Sequence, residues 1–79
     1  MKRVKIIGNS TDSRRFYELV EKVVKDNDLR IDLRWEDITP SSAEVRYHVK
    51  KTPALEIDGK IISEGKYDYR AEEIYRLIR

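Results

Sequence analysis

The sequence predicts an α/β fold in which three helices flank a four-stranded mixed sheet. Apolar residues recur with the spacing of a strand or of a helix in the order β-α-β-α-β-β-α. The two β-α-β passages imply a parallel strand pair, whereas Asp58-Gly59 between two apolar runs predicts an antiparallel hairpin. A chain of 79 residues is expected to form one small domain, residues 1–79.

The first half of the chain contains two predicted strands separated by a helix. Val4 and Ile6 alternate with basic residues in a strand over residues 2–7, which the polar run 8–10 ends. A helix is predicted from about Thr11 to the polar run 26–28. Its apolar residues recur at helical spacing and are Phe16, Leu19, Val20, Val23 and Val24. The next strand alternates apolar with charged residues, which favours a position at or near the edge of the sheet; its apolar members are Leu29, Ile31, Leu33 and Trp35.

The second half begins with a short predicted helix. Ser41 and Glu44 have the spacing of a capping box, so the helix should begin there and reach about residue 49. Its expected anchors are Ala43, Val45 and Val49. Strands are predicted over residues 54–57 and 60–63, on either side of the hairpin turn. Asp68 is expected to cap the last helix, whose apolar stripe is Ala71, Ile74, Leu77 and Ile78. The expected core residues are Ile6, Phe16, Val20, Leu33, Leu55 and Ile74.

Composition excludes several kinds of protein and site. The 17 Lys and Arg residues nearly balance 15 Asp and Glu, and the net charge of +2 gives no strong field for nucleic acid or for an anionic membrane. The longest apolar runs are dipeptides, which excludes a membrane-spanning helix. The absence of cysteine excludes disulfides, thiolate catalysis and thiolate metal sites in this chain. We therefore expect a soluble cytoplasmic protein.

Two separated segments resemble the small thioredoxin- and glutaredoxin-like proteins. A strand ends in a loop of small residues before the first helix, and Thr52-Pro53-Ala54-Leu55 later leads into the Asp58-Gly59 hairpin. Residues 52–65, T-P-A-L-E-I-D-G-K-I-I-S-E-G, are especially similar to compact prokaryotic thioredoxin-like proteins of the redox-active-disulfide type. The element order covers the whole chain, whereas the specific motifs cover about a quarter of it. The resemblance implies a thioredoxin-like fold.

The same resemblance implies a Cys-x-x-Cys site where the first strand meets the first helix. The helix N-terminus stabilises a thiolate there, and a second thiol one turn further on resolves the mixed disulfide. Ser10 and Ser13 have the spacing of those cysteines and are the implied catalytic positions. A register one residue longer would instead use Thr11 and Arg14. Serine at a helix start is also an ordinary capping residue, which is the alternative explanation of this pair.

Serine at both positions predicts a protein without redox activity. Thiol–disulfide exchange needs a thiolate and a sulfur acceptor, and a hydroxyl supplies neither. Two interpretations follow from the resemblance. The chain carries the scaffold of a thiol–disulfide oxidoreductase with its cysteines replaced by Ser10 and Ser13, or it is a non-catalytic adaptor that binds a protein or a peptide on the same fold. Neither interpretation implies a cofactor.

The family resemblance also implies a cis peptide bond between Thr52 and Pro53 that faces the site. X–Pro bonds are mostly trans, so this expectation comes from the resemblance and not from base rates. The backbone of the residue before the proline would then pair with a bound peptide. The implied binding groove is lined by Thr11, Asp12, Thr52 and Pro53.

Other kinds of site find less support in the sequence. Asp26 and Asp28 lack the spaced oxygen ligands and the glycine of a calcium loop, so no metal site is predicted. His48 is the only histidine, and no sequence feature brings it to Ser10 or Ser13 for hydrolytic catalysis. Trp35 shares the apolar face of its strand, so it is expected to pack in the core and not to stack on nucleic acid.

A second, shorter resemblance concerns residues 8–14, G-N-S-T-D-S-R. This run is similar to the G-N-x-x-x-S run after the first strand of the circadian-clock KaiB family, which works by protein binding without a Cys-x-x-Cys pair. The Asp58-Gly59 hairpin departs from that family. The expected partner is thus a protein or peptide, and the expected oligomeric state is a monomer.

Overall fold

The computed structural model describes residues 1–79 and contains four strands and three helices. The order β-α-β-α-β-β-α is confirmed. The strands are β1 (Lys2–Ile7), β2 (Ile31–Glu36), β3 (Ala54–Ile57) and β4 (Lys60–Glu64). The helices are α1 (Thr11–Asp26), α2 (Pro40–Tyr47) and α3 (Ala71–Ile78). None of these helices is long and apolar enough to span a membrane.

The four strands form one mixed sheet in the order β2-β1-β3-β4. β2 pairs parallel to β1 and lies at an edge, as its alternating sequence predicts. β3 runs antiparallel to β1, so the second β-α-β passage gives no parallel pair. The physical reason is that α2 is short and lies at one end of the sheet. The chain consequently re-enters the sheet at the end where β2 left it and runs back in the opposite direction.

The larger hydrophobic cluster lies between the sheet and the helices α1 and α3. Its buried members are Val4, Ile6, Phe16, Val20, Val23, Leu55, Ile74 and Ile78. Five of the six expected core residues are among them, whereas Leu33 on the edge strand is only half-buried against the cluster. Ala71, which the sequence places on the apolar stripe of α3, is exposed at the first turn of that helix.

A smaller cluster under α2 fills part of the opposite face of the sheet. Its buried members are Ile7, Ala43, Val49 and Ala54. The expectation that Val45 anchors α2 is wrong, because its side chain is 79% exposed. A helix of eight residues presents one narrow face to the sheet, and Ala43 occupies that face.

The rest of the α2 face of the sheet carries charged side chains. Lys5 donates a hydrogen bond of 3.2 Å to the Tyr47 hydroxyl, which in turn donates one of 3.0 Å to Glu36. The carboxylates of Glu36 and Glu56 lie 3.7 Å and 3.9 Å from the Lys5 ammonium group. The hydrogen bond to Tyr47 is the main cause that raises the pKa of Lys5 above its ordinary value, with smaller contributions from the two carboxylates.

The starts of α2 and α3 differ from the sequence-based predictions. The N-cap of α2 is Thr39, whose Oγ1 accepts a 3.1 Å hydrogen bond from the backbone N–H of Ser42, so the predicted Ser41–Glu44 box is wrong. Pro40 explains the shift, because proline is favoured at the first helical position. Asp68 does not cap α3 either. Arg70 occupies the N-cap, and its N–H donates a 2.9 Å hydrogen bond to the Glu73 carboxylate.

Replacement of Thr39 tests this assignment of the cap. Thr39→Ala removes the acceptor for the N–H of Ser42 and should lower the free energy of unfolding by about 1 kcal/mol. Ser41→Ala is the matched control and should change it by less than about 0.5 kcal/mol, because the Ser41 hydroxyl is exposed. Urea unfolding followed by circular dichroism measures both values. A larger loss in Ser41→Ala than in Thr39→Ala would contradict the assignment.

Candidate functional site

The candidate site lies where β1 ends and α1 begins. Ser10 is the N-cap of α1, and its hydroxyl oxygen accepts a 3.1 Å hydrogen bond from the backbone N–H of Ser13. The two hydroxyl oxygens are 2.9 Å apart and share a further hydrogen bond. Ser10 and Ser13 are thus in direct side-chain contact at the positive end of a helix of 16 residues.

The two serines differ completely in their access to solvent. Ser10 is exposed, whereas Ser13 is fully buried beneath it. An incoming molecule would therefore reach the Ser10 side chain and not that of Ser13. The pair therefore offers one outward group and one inward group, joined by a short hydrogen bond.

Gly8 connects this pair with the start of β3. Its φ of +143° is a conformation that residues with side chains rarely adopt. A Cβ atom built on Gly8 would overlap the Ser13 hydroxyl and lie 3.1 Å from the Cβ of Thr52. Ser13 and Thr52 therefore approach the Gly8 backbone closely, and the structure brings together the first loop and the Thr52-Pro53 segment.

The Thr52-Pro53 segment forms the other side of the site. The peptide bond between the two residues is cis. Pro53 is buried, and its carbonyl accepts a 2.8 Å hydrogen bond from the N–H of Gly65. Thr52 is half-exposed, and its own backbone N–H and C=O have no hydrogen-bond partner within the chain. These two groups are available to a backbone that lies alongside residue 52.

Thr11 and Asp12 occupy the first turn of α1 on the solvent side of the site. Thr11 is exposed and Asp12 is half-buried. Neither side chain takes part in a hydrogen bond or an ion pair within the chain. The four residues that the sequence assigns to a groove therefore include one fully buried residue, Pro53, and three that solvent reaches.

Two further residues, which the sequence did not predict as part of the site, hold it in place. Gly8 carries the close approach just described, and the indole N–H of Trp35 donates a 2.8 Å hydrogen bond to the Gly8 carbonyl. The Gly8 N–H donates to the carbonyl of Glu36 at 3.0 Å. A glycine directly after a strand, two residues before the N-cap of a helix, was the available signal for Gly8. No sequence signal predicted the role of Trp35. The alternating pattern of its strand indicates that the side chain is buried, but not which group the indole N–H binds.

His48 is not part of the site. It is the C-cap residue of α2, with a φ of +58° and an exposed side chain that makes no hydrogen bond to either serine. Neither Ser10 nor Ser13 forms a hydrogen bond with a basic side chain. No group of three or more His, Asp or Glu side chains converges anywhere in the chain.

Comparison with known proteins relates almost the whole chain to one family. A family model described as a thioredoxin domain matches residues 2–79. Neither a curated protein nor a solved structure is significantly similar to the chain. The match extends over both halves of the candidate site and all seven elements of the fold.

Substitution of Gly8 tests whether the close approach is essential. Gly8→Ala adds a Cβ that overlaps the buried Ser13 hydroxyl, so the free energy of unfolding should fall by at least about 3 kcal/mol. Gly59→Ala is the matched control: its φ is also positive, but its Cβ would meet open space. This control should cost about 1–2 kcal/mol from backbone strain alone. Equal losses in the two variants, measured by urea unfolding, would refute the steric explanation.

Proposed function

Because the chain belongs to the thioredoxin-domain family, we propose that Ser10 and Ser13 occupy the two cysteine positions of a thiol–disulfide oxidoreductase site. The observation that carries this proposal is the contact between the two hydroxyl oxygens, 2.9 Å apart at the N-terminus of α1. Sulfur atoms on the same two Cβ atoms would be within bonding reach after a small adjustment of side-chain torsions.

The burial of the two positions supports a division of roles. A thiolate that attacks a substrate disulfide must be reachable, and Ser10 is exposed. A thiol that resolves the mixed disulfide needs to reach only the first sulfur, and the buried Ser13 contacts Ser10 alone in this way. The alternative register is less well supported. Thr11 and Arg14 are both exposed, and no hydrogen bond joins their side chains.

The hydroxyl groups leave this scaffold without redox chemistry. In the exchange reaction, a thiolate attacks one sulfur of a disulfide, a mixed disulfide forms, and the other sulfur leaves as a thiolate. The second thiol, as a thiolate, then attacks the sulfur of the first cysteine, and the remaining substrate sulfur leaves as a thiolate. The disulfide now lies within the protein, and the substrate has gained two electrons. Ser10 cannot begin this sequence and Ser13 cannot complete it, because neither forms a disulfide. The chain is a redox-inactive form of the oxidoreductase scaffold.

Introduction of both cysteines tests the proposed positions. The variant Ser10→Cys/Ser13→Cys should form an intramolecular disulfide under mild oxidation and gain disulfide reductase activity that the parent chain lacks. Its first thiol should have a pKa below the ordinary value of about 8.5, because the helix N-terminus stabilises the thiolate. Thiol titration and turnover of a small disulfide measure these changes.

Matched variants separate this register from its alternative. Ser10→Cys alone should react with a small disulfide and stop at the mixed disulfide, and Ser13→Cys alone should react slowly because position 13 is buried. Thr11→Cys/Arg14→Cys should pair less readily than the serine-site double variant. Thiols at positions 10 and 13 that fail to pair under mild oxidation would rule out the proposed site.

A second candidate function, binding of an extended peptide, is favoured by the free backbone groups of Thr52. An N–H and a C=O without partners on a half-exposed residue offer a peptide two hydrogen bonds of the kind that strands exchange. Thr11 and Asp12 face solvent across the same site. This adaptor function needs no sulfur, so serines at positions 10 and 13 do not oppose it.

Peptide binding is tested on the parent chain by NMR. A reduced, S-methylated unfolded protein is the probe, and its addition should shift the Thr52 amide resonance more than resonances of α2. Thr11→Arg should weaken this binding, because the longer side chain fills the space over the site, whereas Val45→Arg on the exposed side of α2 is the control. Binding that Val45→Arg weakens and Thr11→Arg leaves unchanged would place the peptide elsewhere.

A further inference from the structure

The edge strand β2 presents a long, regular and uncovered edge. It has six residues without glycine, proline or a bulge, and only β1 pairs with it. The other edge strand, β4, is irregular, because its pairing with β3 shifts register between Leu55 and Glu56. Bulges and short irregular strands commonly protect a sheet edge from association. β4 has such a device and β2 does not.

Backbone groups of alternate β2 residues point away from the sheet. The Glu36 carbonyl accepts a hydrogen bond from Gly8 at the end of β1, so Glu36 points its backbone groups toward β1. By alternation along the strand, those of Ile31, Leu33 and Trp35 point to the free edge. No hydrogen bond from any other part of the chain reaches these outward N–H and C=O groups.

Charges on β2 and on Arg30, the residue before it, are arranged symmetrically about Leu33. Asp32 and Arg34 lie one residue before and one residue after Leu33. Arg30 and Glu36 lie three residues before and three residues after it. Each pair at equal distance from Leu33 has opposite charge. Antiparallel pairing of two identical strands centred on Leu33 would therefore place every charged residue opposite one of the other sign.

We propose that β2 binds β2 of a second copy of this chain in an antiparallel arrangement centred on Leu33. The two copies of Leu33 would exchange both of their backbone hydrogen bonds across a two-fold axis, and Ile31 would pair likewise with Trp35 of the partner subunit. The residues between them form non-hydrogen-bonded pairs, with Cα atoms about 4.5 Å apart and side chains close together. Asp32 is then opposite Arg34 of the partner subunit.

Three of the four charged side chains are available for these contacts, whereas Glu36 already interacts with Tyr47, Lys5 and Arg46 of its own chain. Arg34 is 71% exposed and reaches only Asp32 of its own strand, at 3.2 Å. In the dimer, Arg34 would exchange Asp32 of its own strand for Asp32 of the partner subunit. No buried contact would be lost. Arg30 is exposed and has no ion pair in the single chain. A like-charged neighbour at either position would oppose the pairing, so the charge pattern also specifies the register.

The dimer would also bury more apolar surface next to β2, on the face of the sheet that α1 covers. Ile31, Leu33 and Trp35 are all half-buried, although they face the main core. Helix α1 contacts β1 and β2, so two copies of α1 would lie side by side roughly 10 Å apart. Tyr17 stacks on Trp35, and Val24 is two turns further along that side of α1; both are half-buried in the single chain.

The resulting dimer leaves the candidate site open. The two β2 strands run in opposite directions, so the carboxyl ends of the two sheets, each with its Ser10, lie at opposite ends of the assembly. The proposal is independent of the redox or peptide-binding function. It differs from the sequence-based expectation of a monomer, and the oligomeric state distinguishes the two.

Charge exchange on β2 tests the dimer. The parent chain should show a reversible dimer by sedimentation equilibrium, with a fraction that rises up to millimolar concentrations. Asp32→Arg and Arg34→Asp should each weaken association roughly tenfold or more, since both symmetry-related pairs become like-charged. The exchange Asp32→Arg/Arg34→Asp restores opposite charges and should restore the parent association constant within about threefold.

A control and a second measurement make the test specific to β2. Asp68→Arg changes the net charge as Asp32→Arg does, on an exposed loop, and should leave association unchanged. Amide hydrogen exchange of Ile31, Leu33 and Trp35 should slow as protein concentration rises. The proposal is overturned if the parent stays monomeric at millimolar concentration, if the single charge reversals have no effect, or if the double exchange fails to restore association.

Discussion

The absence of a side chain at Gly8 is the constraint on which the candidate site depends. Gly8 lies between the Ser13 hydroxyl and the Thr52 side chain, where a Cβ atom would overlap the first and crowd the second. Its backbone is also fixed on both sides, by the carbonyl of Glu36 and by the indole of Trp35. One residue thus ties the end of β1 to the edge strand, to the first turn of α1 and to the start of β3.

In the proposed function, the serine pair keeps the geometry of a dithiol site without its chemistry. Helix capping alone explains why Ser10 accepts a hydrogen bond from the N–H of Ser13. It does not explain why Ser13 is buried at a position where its hydroxyl contacts both Ser10 and the Gly8 backbone region. A buried hydroxyl needs a partner, and here the partner is the exposed member of the same pair. The proposed pair of cysteine positions would account for this arrangement, and the family match supports that proposal.

The two edge strands of the sheet differ in regularity and in charge pattern. The pairing of β4 with β3 is interrupted by a register shift, whereas β2 pairs regularly and carries charges that alternate in sign. Alternating charge opposes pairing in the neighbouring registers, because a shift of two residues places like charges opposite each other. The symmetry of the pattern about Leu33 makes one register an exception. The same side chains can therefore oppose aggregation and select a partner.

The sequence alone determined the order of the elements, because periodicity and turn residues are local signals. The bounds of β1, α1 and β3 and the Asp58-Gly59 turn follow from residues next to each other in the chain. Tertiary structure decided what depends on distant partners. The antiparallel direction of β3, the exposure of Val45 and the contact of Ser13 and Thr52 across Gly8 each depend on where a separate element packs. The cap of α2 at Thr39 has, by contrast, a local cause, since proline geometry at residue 40 outweighed the Ser41–Glu44 pattern.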